Sequence, residues 1–73
     1  MKLWYVYLCG EKGYIYTAMT TDLSNRMRQH HAELLYSESY SDKYAAAKRE
    51  KEITGWRREK KLALISGSKV SLS

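Results

Sequence analysis

The stretch Leu3-Trp4-Tyr5-Val6-Tyr7-Leu8-Cys9 (LWYVYLC) decides the fold. An apolar run with no break, rich in β-formers, reads as a strand covered on both faces, and it is expected to be the central strand of a sheet. Gly10-Glu11-Lys12-Gly13 reads as a turn and Tyr14 to Met19 (YIYTAM) as a second β-type run, which predicts a hairpin with a four-residue loop. If Cys9 faces Tyr14 across that loop, Tyr7 stands opposite Tyr16 and Tyr5 opposite Ala18. All four share one face because strand side chains alternate, and Trp4, Val6 and Leu8 line the other.

Outward from the hairpin, Thr21 supplies an N-cap and Asp22 a first-turn acid, and Leu23, Arg26, Met27 and His30 recur at helical spacing. A helix is expected from about Asp22 to His31. Leu34 to Ser37 reads as a brief third strand, Ser41 as the cap of a second helix ending at Gly55, and Trp56 to Ile65 as a third helix. The expected class is α+β in the order β-β-α-β-α-α, a small three-stranded, antiparallel-type sheet flanked by helices. The domain spans residues 1–65, with a frayed tail over 66–73. The path from the second strand to the third has about thirteen residues, near the minimum for a helical connection between parallel strands.

Composition bounds the function. A chain of 73 residues holds one small core. With 44% hydrophobic residues it has the aliphatic and aromatic content that a disordered chain lacks. Its single cysteine, Cys9, cannot form an intramolecular disulfide, which suits a reducing cytoplasm. The apolar runs are too short to span a bilayer, and no leader opens the chain, so neither a membrane nor export is expected. Seven tyrosines and two tryptophans stand against no phenylalanine, an excess of ring hydroxyls for so small a core.

Charge is uneven. Lys43 to Lys61 holds eight Lys or Arg against three Glu and carries the whole net charge of +5. Clustered positive charge suits a polyanion, because each phosphate neutralised releases counterions. The candidate contacts are Lys48, Arg49, Arg57, Arg58, Lys60 and Lys61. The plainer alternative is that these residues solvate helix surfaces and pair with Glu50, Glu52 and Glu59.

A sharper set is Tyr7, Tyr16, Arg26, His30 and Glu50. The tyrosines share a hairpin face, Arg26 and His30 stand one helical turn apart, and Glu50 shares the inward stripe of its helix with Ala46 and Ile53. A carboxylate to hold a hard divalent cation, a guanidinium to neutralise a pentacovalent phosphate and a phenol or imidazole to take a proton from water suit phosphodiester hydrolysis. Each also has a structural reading: a cross-strand aromatic pair for the tyrosines, solvated helix residues for Arg26 and His30, and an ion-pair partner for Glu50.

In these segments the chain resembles the GIY-YIG nuclease superfamily, and within it the small stand-alone bacterial proteins. Trp4-Tyr5-Val6-Tyr7-Leu8 looks like the first motif and Tyr16-Thr17-Ala18 like the second. Thr21 to His30 is similar to the family's first helix, and Arg49 to Lys61 followed by Leu62-Ala63-Leu64-Ile65 to its C-terminal signature. The resemblance covers roughly residues 4 to 65. It implies a nucleic-acid-binding endonuclease domain acting on DNA with one divalent ion, Mg²⁺ or Mn²⁺. It makes Glu50 the metal ligand, Arg26 the phosphate clamp, Tyr16 the phenol that helps activate water and Tyr7 the group that positions that water or the phosphate. His30 falls where relatives carry His or Tyr. A phenol near pKa ~10 is a poor base at neutral pH, so Tyr16 would need a metal or cationic neighbour. The chain departs from the pattern at Ala18, where relatives have glycine, at Thr54, where they have lysine, and in the short His31-Ala32-Glu33 connection. A non-catalytic remnant acting as a basic nucleic-acid-binding module is the alternative, and a trimmed scaffold a third. Oligomeric state is not legible in the sequence.

Overall fold

The computed structural model describes residues 2–30 and 32–70, with the backbone alone at His30 and over 68–70. Its elements are β1 (Trp4–Glu11), β2 (Tyr14–Thr20), α1 (Leu23–His30), β3 (Glu33–Tyr40), α2 (Lys43–Thr54) and α3 (Arg58–Val70). The β-β-α-β-α-α order is the expected one. The strands form one sheet in the order β2-β1-β3, with β1 antiparallel to both neighbours. The unbroken apolar run is thus the central strand, and β2 and β3, the two edges, run parallel to each other on either side of it.

The hairpin corrects the predicted loop. Glu11 pairs with Tyr14, leaving only Lys12 and Gly13 in the turn. Both have positive φ, 51° and 85°, the geometry of a primed two-residue turn whose twist matches that of the strands. Gly10 and Glu11, read as loop, therefore join the ladder. The register slides by two residues, so Tyr7 faces Ala18, Cys9 faces Tyr16 and Tyr5 faces Thr20. An even slip preserves the face of every side chain, so Tyr7 and Tyr16 stay on the same side as diagonal neighbours.

β1 divides the molecule into two faces. Val6 and Leu8, fully buried, point to the inner face, where Ala46 and Ile53 of α2 and Ile65 of α3 close the core. Tyr7 and Cys9, also buried, point to the outer face. Beside β1, β3 is longer than the Leu34–Ser37 segment read from sequence. It carries a bulge: Leu8 pairs with Tyr36 but Cys9 with Leu34, which leaves Leu35 as the extra residue. Leu35 and Tyr36 consequently both pack on the inner core. Gly10 makes room for this, since a Cβ there would meet Leu35 Cδ1 at 3.2 Å.

The helix caps sit one residue later than expected. Asp22, not Thr21, accepts from Asn25 N at the start of α1 (3.2 Å), and Asp42, not Ser41, accepts from Tyr44 N at the start of α2 (3.1 Å). Gly55 closes α2, its N–H bonded to Glu52 O (3.2 Å). α3 begins at Arg58 rather than Trp56 and runs to Val70, past the expected end at Ile65; 71–73 lie outside the described residues, as does His31, the expected end of α1. Among the described residues no helix is long and apolar enough to cross a membrane.

Candidate functional site: a tyrosine and arginine cleft

Period two along β1 and β2 sends Tyr7, Cys9 and Glu11 and their neighbours Ala18, Tyr16 and Tyr14 to the outer face. Asp22 fixes the start of α1, and one turn later Arg26 reaches over that face. Its Nε donates a long hydrogen bond, 3.4 Å, to the Tyr7 hydroxyl. Tyr7, Cys9, Glu11, Tyr16, Thr17, Ala18 and Arg26 line a cleft of ≈ 310 Å³. The structure thus brings together three of the five residues predicted to do chemistry. Tyr7 lines the cleft but is buried, whereas Tyr16 is 48% exposed and free to meet a ligand. His30 closes α1, and its side chain is outside the described residues.

Two cleft residues went unread in the sequence. Sequence alone puts Glu11 in the loop, and the signal that finds it is the Lys12-Gly13 pair, whose turn chemistry extends β1 by two residues. Cys9 shares the parity of Tyr7. Burial raises its thiol pKa, the nearby Glu11 carboxylate raises it further, and Arg26 opposes them only in part. Cys9 therefore remains a protonated, apolar wall of the cleft.

Glu50 does not line the cleft. It is half-buried on α2, on the stripe with Ala46 and Ile53 that packs against the inner face. Its neighbour Arg49 reaches β3, bonding Glu38. α2 packs on the inner side of β1 and β2. On that inner side of β2, opposite Leu8, Thr17 Oγ1 is buried with no hydrogen-bond partner among the described residues. Glu50 itself enters neither of the two ion pairs found there, which join Arg49 to Glu38 and to Glu52. The ion-pair reading of Glu50 is thus not what the structure shows.

No group of three or more His, Cys, Asp or Glu gathers among the described residues. Mg²⁺ nevertheless needs only one or two carboxylates when substrate phosphate oxygens and waters complete its octahedron. Glu50, half-buried and outside both ion pairs, is a carboxylate that could serve as one such ligand.

The basic residues divide into two groups. Arg49 is committed within the fold, bonded to Glu38 (3.0 and 3.1 Å) and Glu52 (2.5 Å) and stacked 5.1 Å from the Trp56 ring. Lys60 lies 4.3 Å from the same ring, and Arg58 Nη1 donates to Gly13 O (2.5 Å), tying α3 to the hairpin tip. Lys48 and Arg57 are exposed and enter no ion pair among the described residues, and Lys61 is half-buried.

Fold and site together define a class: a small α+β domain whose hairpin and first helix set a phenol against a guanidinium in an open cleft. The chain belongs to the UPF0213 family. It is 35% identical over 75 aligned residues to the UPF0213 protein HQ_3675A of Haloquadratum walsbyi, covering 82% of this chain and 83% of that relative. The solution NMR structure of the UPF0213 protein BH0048 from Bacillus halodurans is similar, with a TM-score of 0.66 at 28% identity over 88% of this chain and 83% of that one. No protein-family model matches the chain.

Proposed function

We propose that this protein is a nucleic-acid phosphodiester hydrolase of the GIY-YIG type, acting on DNA with one Mg²⁺ or Mn²⁺. The observation that carries the reading is the Arg26 to Tyr7 contact at the wall of a cleft that also holds Tyr16. A phosphodiester in that cleft meets the Arg26 guanidinium, which neutralises its non-bridging oxygens as negative charge builds in the transition state. The Tyr7 hydroxyl, oriented by Arg26 Nε, fixes the attacking water or a phosphate oxygen, and Tyr16, on the wall of the same cleft, would take the water's proton as its phenolate. Glu50 would hold the metal, which supplies Lewis acidity and lowers the pKa of bound water. Lys48 and Arg57, exposed on α2 and just before α3, contribute sequence-independent phosphate contacts.

The test is incubation of the purified protein with single-stranded, duplex and branched DNA plus Mn²⁺ or Mg²⁺. Cleavage is expected in the native protein, with losses of about 100-fold or more in Tyr7→Phe, Arg26→Ala and Glu50→Gln. Variants should keep the native circular dichroism and melting temperature. No cleavage above the Glu50→Gln background under any metal rejects hydrolysis. The absence of Glu50 from the cleft lining favours a second reading, a non-catalytic binding module. That reading predicts salt-sensitive DNA binding that Glu50→Gln and Tyr16→Phe leave unchanged.

A further inference from the structure

Tyr14 takes no part in the proposed chemistry, yet it is one of the most exposed aromatic side chains, at 66%. Its ring lies 6.5 Å from that of Tyr16, tilted by 43°, on the same outer face of β2. Burying such rings is worth far more than the tilted contact between them, so two large apolar planes left in water, one of them on the cleft wall, call for a ligand with an apolar plane. The mount is firm. Tyr14 directly follows Gly13, whose carbonyl is held by Arg58 of α3, and pairs with Glu11 across the ladder. Continuity with the cleft indicates which ligand: Tyr16 belongs both to the ring pair and to the cleft wall that carries Arg26.

We propose that Tyr14 and Tyr16 form a stacking platform for an unpaired nucleobase whose own phosphodiester lies at Arg26. The assignment rests on the cleft being a phosphodiester site, as argued above, and adds to it a base-recognition surface with Tyr14 as the new contact. A base inside a duplex has both faces covered by its neighbours and cannot use the platform, so strands with unstacked nucleotides are preferred. Stacking is indifferent to base identity, since every base has a π-face.

The experiment measures binding of a fluorescein-labelled oligothymidylate by anisotropy, with Ca²⁺ replacing Mg²⁺ so that nothing is cut. The same strand lacking its bases and a duplex of equal length serve as comparisons. Tyr14→Leu keeps an apolar strand residue but removes the ring, and is expected to weaken oligothymidylate binding about tenfold or more. Tyr14→Phe and Tyr14→Trp should retain native binding. The abasic strand should bind native protein and Tyr14→Leu equally. Equal affinity of native protein and Tyr14→Leu for oligothymidylate overturns the platform, as does equal affinity of the native protein for thymidylate and abasic strands. Sedimentation showing a native dimer that Tyr14→Leu dissociates without altering oligonucleotide binding also overturns it, by assigning the rings to a second copy of the chain. Ring-dependent binding in a protein that cleaves no substrate supports the platform while rejecting hydrolysis.

Discussion

Four hydrogen bonds converge on Glu38: Tyr36 and Tyr40 hydroxyls at 2.6 Å each and Arg49 Nε and Nη2 at 3.0 and 3.1 Å. Burial works against its charge, but the donors from Arg49, Tyr36 and Tyr40 outweigh it and hold the carboxyl below the usual carboxylate range. Burial and the bond to Glu38 in turn push the Tyr36 phenol up to about 12. Two of the tyrosines with no role in the cleft are thereby explained, since phenylalanine could not satisfy this acid. With the folded-state pKa depressed, Glu38 stabilises the fold fully above the ordinary carboxylate pKa of 4.5, and that contribution fades as pH falls through the lower folded value. Glu38→Gln is expected to cost on the order of 2 kcal/mol at neutral pH, with the deficit shrinking in acid. Urea denaturation across a pH series measures this; a deficit that stays constant down to the acid limb would show that the charge on Glu38 is not what the donors hold.

Among the elements, the hairpin shows what a turn decides. Lys12 and Gly13 adopt positive φ, a region glycine enters freely and other residues at a cost. Gly13→Ala is expected to destabilise by about 1 kcal/mol without steric clash, since nothing lies within 4 Å of the added Cβ. Thermal melts would register this, and an unchanged midpoint would mean that the turn relaxes at no cost. The central strand and the order of elements were legible because an unbroken β-branched and aromatic run has one structural use. β3 was under-read because its inner face carries Glu38, and an acid at a core-facing position hides the alternation until its hydrogen bonds are known. The slipped register shows the opposite case. Its parity was legible from side-chain alternation, so Tyr7 and Tyr16 were placed on the right face from a wrong loop. Glu11 was lost for want of the turn type. That Glu50 stands outside the cleft lining depends on how α2 packs on the sheet, which no local pattern contains.

Over the whole molecule, the net charge of +5 overstates what a polyanion can meet. Arg49 is paired with acids, while Arg58 and Lys60 are engaged with the hairpin carbonyl and the Trp56 ring. DNA binding is accordingly expected to show a salt slope of about two to four ions rather than the eight that the segment's cations would suggest, since each engaged phosphate contributes about one. Titrations of affinity against salt concentration give the number directly. A slope near eight would mean that the internal pairs open on binding.

The place of β1 in the sheet bears on how the chain is made. The strand nearest the N-terminus is the one flanked on both sides, so as synthesis proceeds LWYVYLC emerges before either neighbour exists. The close hairpin covers one edge early, but the other stays open until Tyr40 of β3 arrives, and the inner face stays bare until α2 and α3 follow. This apolar segment thus waits for the rest of the chain, and the short hairpin turn, which brings the first cover soonest, limits that exposure.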